Sequence, residues 1–131
     1  MGARESIYLE GFAHRNPVPV ASRVGSFVHS GVLTGRDPKS LEMPDTLEEQ
    51  MTNVFERIRE LMDAVGGSVD DIAKLTFWLA DYRDRDALNR EWEAMFPSPA
   101  DRPARQAMAA TLDGGSKVQC DVVAILTDER I

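Results

Sequence analysis

The segment between residues 44 and 67, PDTLEEQMTNVFERIRELMDAVGG, constrains the fold more than any other part of the chain. Thr46 and Glu49 have the spacing of a capping box, and the pair Gly66–Gly67 supplies a C-terminal stop. Its apolar residues recur at helical spacing and form a single stripe; they are Leu47, Met51, Val54, Phe55, Ile58, Leu61, Met62 and Val65. The segment therefore predicts a long amphipathic helix that must bury one face.

The residues before this helix predict strands and turns. Residues 6–12 are rich in β-forming side chains, and residues 14–22 contain two prolines, so they must be extended or turning. Residues 24–35 predict one strand that is entered through Gly25. Two or three strands are thus expected ahead of the long helix.

The second half of the chain alternates between apolar runs and one further amphipathic stretch. Residues 74–80 predict a buried strand, and residues 84–96 predict a second helix. Residues 104–112 and 117–127 predict two strands joined by DGGS, which has the composition of a hairpin turn. In the last strand, one set of side chains is expected to face the helices and the other to face away: Val118, Cys120, Val122 and Ala124 against Gln119, Asp121 and Val123.

This order of elements predicts an α+β domain that spans residues 1–131. Helices with this spacing would cover one face of a single mixed sheet. A chain of 131 residues has no third layer to cover the other face. Association with further copies of the chain is the expected solution.

Composition narrows the possible partners and cofactors. The formal net charge of −7 disfavours nucleic acid, whose binding is dominated by phosphate neutralisation. No apolar run approaches the ~20 residues that span a bilayer, and no signal peptide is recognisable, so we expect a cytoplasmic protein without a membrane partner. Cys120 is the single cysteine, His14 and His29 are the only histidines, and no nucleotide-binding motif occurs. Neither a metal site nor a cofactor is therefore expected.

Two arginines, Arg102 and Arg105, stand directly before a predicted strand in the motif RPAR. The segments VGSFVHSG, GRDP, 47–97, RPAR and KVQCDVVAI follow one another along nearly the whole chain. In their order and spacing the chain resembles the Rid (reactive intermediate deaminase, YjgF-like) family. Within these segments the pair SG, Gln50 and Asn53, GGSVDDI and PAR are the most specific features.

This resemblance implies a chorismate-mutase-like fold assembled as a homotrimer, with clefts between subunits. It also implies an activity without a cofactor: RidA-type members hydrolyse enamine and imine acids, released by pyridoxal-phosphate enzymes, to 2-keto acids and ammonia. The arginine of the PAR motif corresponds to Arg105, which in the family clamps the substrate carboxylate. A guanidinium suits this role because it grips a carboxylate with two hydrogen bonds.

The resemblance assigns further site residues one at a time. Asn89 matches the asparagine of the second helix, and Ser30 with Gly31 keeps the cleft-lining SG pair. Val18 stands where the family has a tyrosine, and Ala107 stands where the family often has a cysteine. Backbone groups are therefore expected to orient the amino end of the substrate. Gln119 falls on the glutamate that positions the attacking water. Asp121 could not replace that glutamate without a shift of ~6–7 Å along the strand.

The sequence alone leaves several hypotheses about the function and the residue roles. The chain could be an imine deaminase, a non-catalytic trimer that binds a metabolite carboxylate, or, less well supported by its charge, a ribonuclease or translation inhibitor. Arg105 could be an ion-pairing surface residue, and Asn89 and Gln119 could be merely structural. Other polar residues are expected to have no chemical role: Arg102 solvated or at an interface, His29 packed or at an interface, His14 in a loop, and Cys120 buried and unreactive.

Overall fold

A computed structural model describes residues 3–10 and 16–127 of the chain. In these ranges seven strands form one sheet, and two α-helices and a 3₁₀ turn at Val69–Asp71 accompany it. The strands are β1 (Arg4–Ile7), β2 (Ala21–Val24), β3 (Phe27–Ser30), β4 (Leu33–Thr34), β5 (Ile72–Leu79), β6 (Ala104–Ala109) and β7 (Val118–Ile125). The helices are α1 (Leu47–Ala64) and α2 (Asp86–Met95).

The sheet has the order β1-β2-β3-β7-β5-β6, and the short strand β4 also pairs with β7. Strands β5 and β6 run parallel, whereas every other pair is antiparallel. The predicted class, an α+β domain with two helices on one face of a single mixed sheet, is therefore confirmed. None of the helices in the described ranges combines the length and apolarity that a transmembrane segment requires.

The predicted hairpin between the last two strands is wrong. The DGGS segment does turn, with Gly114 and Gly115 at positive φ, but β5 lies between β6 and β7 in the sheet. Since α2 carries the chain from β5 to the parallel strand β6, the turn must return it across the end of β5. The amide of Ala80 at that end donates to the Lys117 carbonyl (3.0 Å). The composition of the DGGS segment therefore predicts that the chain reverses there, but it does not predict which strands pair.

The predicted continuous strand over residues 24–35 is also wrong. Gly25 has a φ of 58° and lies in the two-residue turn between β2 and β3, so the chain reverses there. The second half of the segment divides into β3 and β4, and both of these strands pair with β7. Ser30 marks the division, because its hydroxyl accepts from the Val122 amide (2.7 Å). Of the predicted strand at residues 6–12, Gly11 and Phe12 lie outside the described residues.

The core lies between the helices and one face of the sheet. Alternate residues of β7 are buried there, as predicted, and the ring of Phe55 on α1 stacks on Phe77 of β5 with centroids 5.7 Å apart. The predicted apolar stripe of α1 is buried from Met51 onward, and the inner side of α2 is buried as well. The opposite face of the sheet has no helix on it within the described part of the chain.

A buried amide ties α1 to the two loops that border the sheet. Gln50 is fully buried, and its Nε2 donates to the carbonyls of Pro44 (2.8 Å) and Gly115 (3.0 Å). Its Oε1 accepts from the Lys117 amide (2.7 Å). Gly35 packs so closely that a Cβ there would lie 2.6 Å from the backbone of Gln50. Gln50 is therefore held by three hydrogen bonds, and Gly35 leaves the space that its backbone needs.

We predict that Gln50→Leu lowers the free energy of unfolding by about 3–5 kcal/mol. The variant leaves three backbone groups without a partner in a buried site, and each such group costs about 1–3 kcal/mol. Urea unfolding followed by circular dichroism measures the change. The control is Glu56→Leu on the exposed face of α1, which should change stability by less than about 0.5 kcal/mol. Equal stability of the two variants would contradict the anchoring role of Gln50.

Candidate functional site

Arg105 lies on β6, the last strand at one edge of the sheet. Arg105 pairs with Leu75 of β5. Its side chain therefore lies on the face of the sheet that the helices cover, next to α2. Its Nη1 donates to Asn89 Oδ1 (2.9 Å), and its guanidinium carbon lies 5.1 Å from the centroid of the Trp92 ring. Asn89 and Trp92 are three residues apart, so they share one face of α2. Helix α2 therefore orients the guanidinium on two sides.

Among the described residues, the charge of Arg105 has no acidic counterpart. Within the described residues no carboxylate lies within 4.0 Å of it, although the chain has 22 acidic residues. Partial burial lowers the pKa of Arg105, and the nearby charge of Arg85 lowers it further. Arginine nevertheless stays protonated at neutral pH. A partly desolvated cation with free donors is thus presented at the sheet edge, which is the chemistry of an anion site.

The backbone of Ala107 adds polar groups beside this cation. The Ala110 amide donates to the Leu79 carbonyl (3.1 Å), which shows that the even-numbered residues at this end of β6 point their backbone groups towards β5. Since the direction alternates along a strand, Ala107 points its N–H and C=O away from β5. On the outer side of β6 the described chain provides no other strand. Ala107 therefore offers one donor and one acceptor next to Arg105.

Gln119 lies on the opposite face of the sheet. It pairs with Thr34 of β4 and with Trp78 of β5, and its side chain is partly exposed on the face without helices. Strand β5 separates its strand from that of Arg105, and strands are about 4.8 Å apart. The structure therefore does not bring Gln119 and Arg105 together within one copy of the chain.

Ser30, Gly31 and Val18 form a second group, near the middle of β7. The Ser30 hydroxyl donates to the Gly31 carbonyl (2.7 Å) and accepts from the Val122 amide. The Gly31 amide donates to the Val20 carbonyl (2.8 Å), which brings the segment that carries Val18 alongside. The side chain of Val18 is exposed. By its pairing with the buried Ala21, the Ser30 side chain lies on the helix-covered face, opposite to that of Gln119, and the amides of this group are largely used within the chain.

The other residues considered from the sequence make no contact that indicates a chemical role in the described structure. Arg102 donates from Nε to the Phe96 carbonyl (2.8 Å), so it caps the C-terminal end of α2. Cys120 is fully buried, so its predicted burial is confirmed, and burial raises the pKa of its thiol. His29 is exposed on the helix-free face, and His14 lies outside the described residues. In the described ranges no three metal-ligating side chains cluster.

Sequence reasoning missed Arg85. It lies one turn before Asn89 at the start of α2, and Arg85, Asn89 and Trp92 share the i, i+4, i+7 spacing of one helix face. That spacing was visible in the sequence. Only the pairing of β6 with β5, however, shows that this face of α2 meets Arg105.

Together, the single sheet with two helices on one face and a paired arginine and asparagine at its edge define a class of small α+β domains. The family model described as Endoribonuclease L-PSP matches residues 12–126. The chain belongs to this family, which is the Rid/YjgF family.

Named relatives are similar over most of their length. A 2-iminobutanoate/2-iminopropanoate deaminase of Salmonella typhimurium is 28% identical over 78% of this chain and 81% of its own. A RutC family protein of Pyrococcus abyssi is 29% identical over 81% of this chain and 84% of its own. The crystal structure of RidA from an Antarctic Psychrobacter species has a TM-score of 0.85 at 28% identity, covering 93% of this chain and 99% of that chain.

Proposed function

We propose that this protein binds a small 2-imino or 2-keto acid between subunits of a homotrimer and hydrolyses 2-imino acids to 2-keto acids and ammonia. The observation that carries the proposal is the Arg105 guanidinium, held by Asn89 and Trp92 without an acidic partner, beside the free backbone edge of Ala107. The deaminase name of the Salmonella relative supports the reaction type.

Two features support assembly into a trimer. A cross-strand row of exposed apolar side chains, Val24, Phe27 and Ile125, runs over the helix-free face, with Phe27 52% exposed. A contiguous apolar row of this kind is typical of an interaction surface. In addition, Arg105 and Gln119 lie on opposite faces, so they can share one cleft only when they come from different copies. Ser30, Gly31 and Val18 are proposed to line the same cleft.

We predict that the wild type sediments as a trimer at micromolar concentration, and that Phe27→Asp produces monomers. The new carboxylate would be buried without a partner in the contact between sheets. Leu41→Asp is the matched control, because Leu41 is also exposed but lies in the loop after β4. A wild type that sediments as a monomer would overturn the proposed assembly.

The proposed reaction begins when Arg105 binds the carboxylate of the imino acid. The outward N–H and C=O of Ala107 orient the imine end, and enamine substrates first tautomerise to the imine. Water then adds to the imine carbon: a C–O bond forms while the C=N electrons move to nitrogen. One proton of the added water passes to that nitrogen, which gives a carbinolamine. Its hydroxyl proton then passes to the nitrogen as well while the C=O bond forms and the C–N bond breaks, so that ammonia leaves and the 2-keto acid remains. An imine of this type hydrolyses spontaneously, so positioning alone can accelerate it.

The proposed site has no side chain that would take a proton from the attacking water. A glutamine such as Gln119 can accept a hydrogen bond from water but cannot take a proton at neutral pH. Val18 supplies no hydroxyl either. This difference favours one alternative, a trimer that binds the metabolite without turning it over. The other alternative, nuclease activity as in the family description, fits poorly with a net charge of −7.

We predict that Arg105→Lys loses most of the affinity for 2-oxobutyrate. A point charge cannot reproduce the two-pronged grip, and disrupting a partly desolvated pair of charges costs about 2–5 kcal/mol. Isothermal titration calorimetry measures the dissociation constant. Arg102→Lys is the control, since Arg102 lies on the same segment but bonds to the end of α2. An unchanged dissociation constant for Arg105→Lys would make this arginine structural.

We also predict that Gln119→Glu increases imine hydrolysis while weakening keto-acid binding. General acid–base help is worth about 10²–10⁴-fold, and the gain here should be at the low end because Val18 leaves the cleft incomplete. The new carboxylate would also oppose an anionic ligand beside Arg105.

The assay generates 2-iminobutyrate in situ with threonine dehydratase and follows release of the keto acid with and without the protein. Brisk wild-type turnover that Gln119→Glu leaves untouched would place water activation elsewhere. Loss of the trimer without a gain in rate would instead place Gln119 in the subunit contact.

A further inference from the structure

Arg85 brings a second cation to the same edge of the sheet as Arg105. It precedes Asn89 by one helical turn, about 6 Å along the axis of α2, and Asn89 Oδ1 accepts from Arg105. The two guanidiniums therefore approach the same helix face from neighbouring positions. Their mutual repulsion lowers the pKa of Arg105.

In the described part of the chain, Arg85 likewise has no acidic partner. Its sequence neighbours are Asp84 and Asp86, yet no carboxylate in the described ranges lies within 4.0 Å of its guanidinium. Its Nε is buried without a hydrogen-bond acceptor there, and its guanidinium carbon lies 4.1 Å from the centroid of the Tyr82 ring. By contrast, the exposed Arg83 on the same segment is paired through both oxygens of Asp81.

Two adjacent, half-buried cations in an acidic protein are unfavourable unless something negative joins them. Arg105 alone would match one carboxylate, and one carboxylate leaves the charge of Arg85 uncompensated. The stacking of Arg85 on Tyr82 holds it in place, so little ordering is needed when an anion binds. A ligand with two carboxylates would satisfy both guanidiniums.

We propose that Arg85 is a specificity-determining residue that binds a second carboxylate, so that the preferred substrates are 2-imino dicarboxylates and the products 2-keto dicarboxylates. This inference rests on the proposed function, because it assigns the first carboxylate to Arg105. The reaction that supplies such a substrate must be the oxidation of an acidic amino acid by two electrons, which pass to the acceptor of that enzyme, or β-elimination from an acidic amino acid that carries a leaving group on its β-carbon.

A carboxylate of a second copy of the chain is the competing partner for Arg85. In that case Arg85 would contribute to assembly and not to ligand choice. Ligand preference and trimer stability therefore separate the two roles.

The test compares two five-carbon keto acids, 2-oxoglutarate and 2-oxopentanoate, which differ in the second carboxylate. Calorimetry should show that the wild type binds 2-oxoglutarate at least about tenfold more tightly, as expected for an added charge-assisted pair. Arg85→Gln should bring the two affinities within about threefold of each other. The control Arg83→Gln should keep the wild-type preference. Sedimentation of each variant checks assembly.

The outcomes are distinct. Equal wild-type binding of both acids, with both weakened by Arg105→Lys, would overturn the dicarboxylate inference and leave the proposed function intact. A preference that survives in Arg85→Gln would remove Arg85 from ligand recognition, and loss of the trimer in that variant without a change in preference would assign it to the interface. Failure of the wild type to bind either acid would overturn the proposed function and this inference with it. The wild-type comparison holds even if Arg85→Gln does not fold.

Discussion

The buried amide of Gln50 is the contact on which the rest of the structure depends. It binds the loop before α1 and the loop before β7 at once, and it does so with all but one of its hydrogen-bonding positions. The second loop decides where β7 begins. Strands β3, β4 and β5 all pair with β7, so the register of most of the sheet follows from that starting point. One polar side chain at the head of a helix thus sets the alignment of a sheet.

The alignment has a direct effect on the site. Arg105 and Ala107 face outward at one edge under α2, whereas Gln119 projects from the other face, two strands away. The cleft that we propose would therefore take its residues from more than one copy of the chain. The apolar row through Phe27 gives those copies a reason to associate, since water-exposed apolar surface is costly. In the proposed trimer, assembly and chemistry would be coupled through the two sides of a single sheet.

Local signals in the sequence predicted the local structure well. The N-cap at Thr46 and the apolar stripe of α1, the alternation along β7 and the buried Cys120 all follow from residue spacing, although the Glu49 side chain accepts from the Thr46 hydroxyl and not from its backbone as a full capping box requires. Pairing between distant segments could not be derived in this way, because a turn such as DGGS reverses the chain whether or not its flanking strands are neighbours. The same limit hid Arg85: its place on a helix face was readable, but its approach to Arg105 depends on the parallel pairing of β5 with β6.

The backbone edge at Ala107 has a consequence for how this protein can vary. Its donor and acceptor belong to the peptide chain and not to a side chain, so any residue except proline at this position would keep both. The side chain there can consequently change in size and polarity while the polar edge persists. Contacts made by a guanidinium do not tolerate substitution in this way, because they are lost when the arginine is replaced. In the proposed site, ligand preference could therefore change through the wall residues and the arginines while the part made by the main chain remains in place.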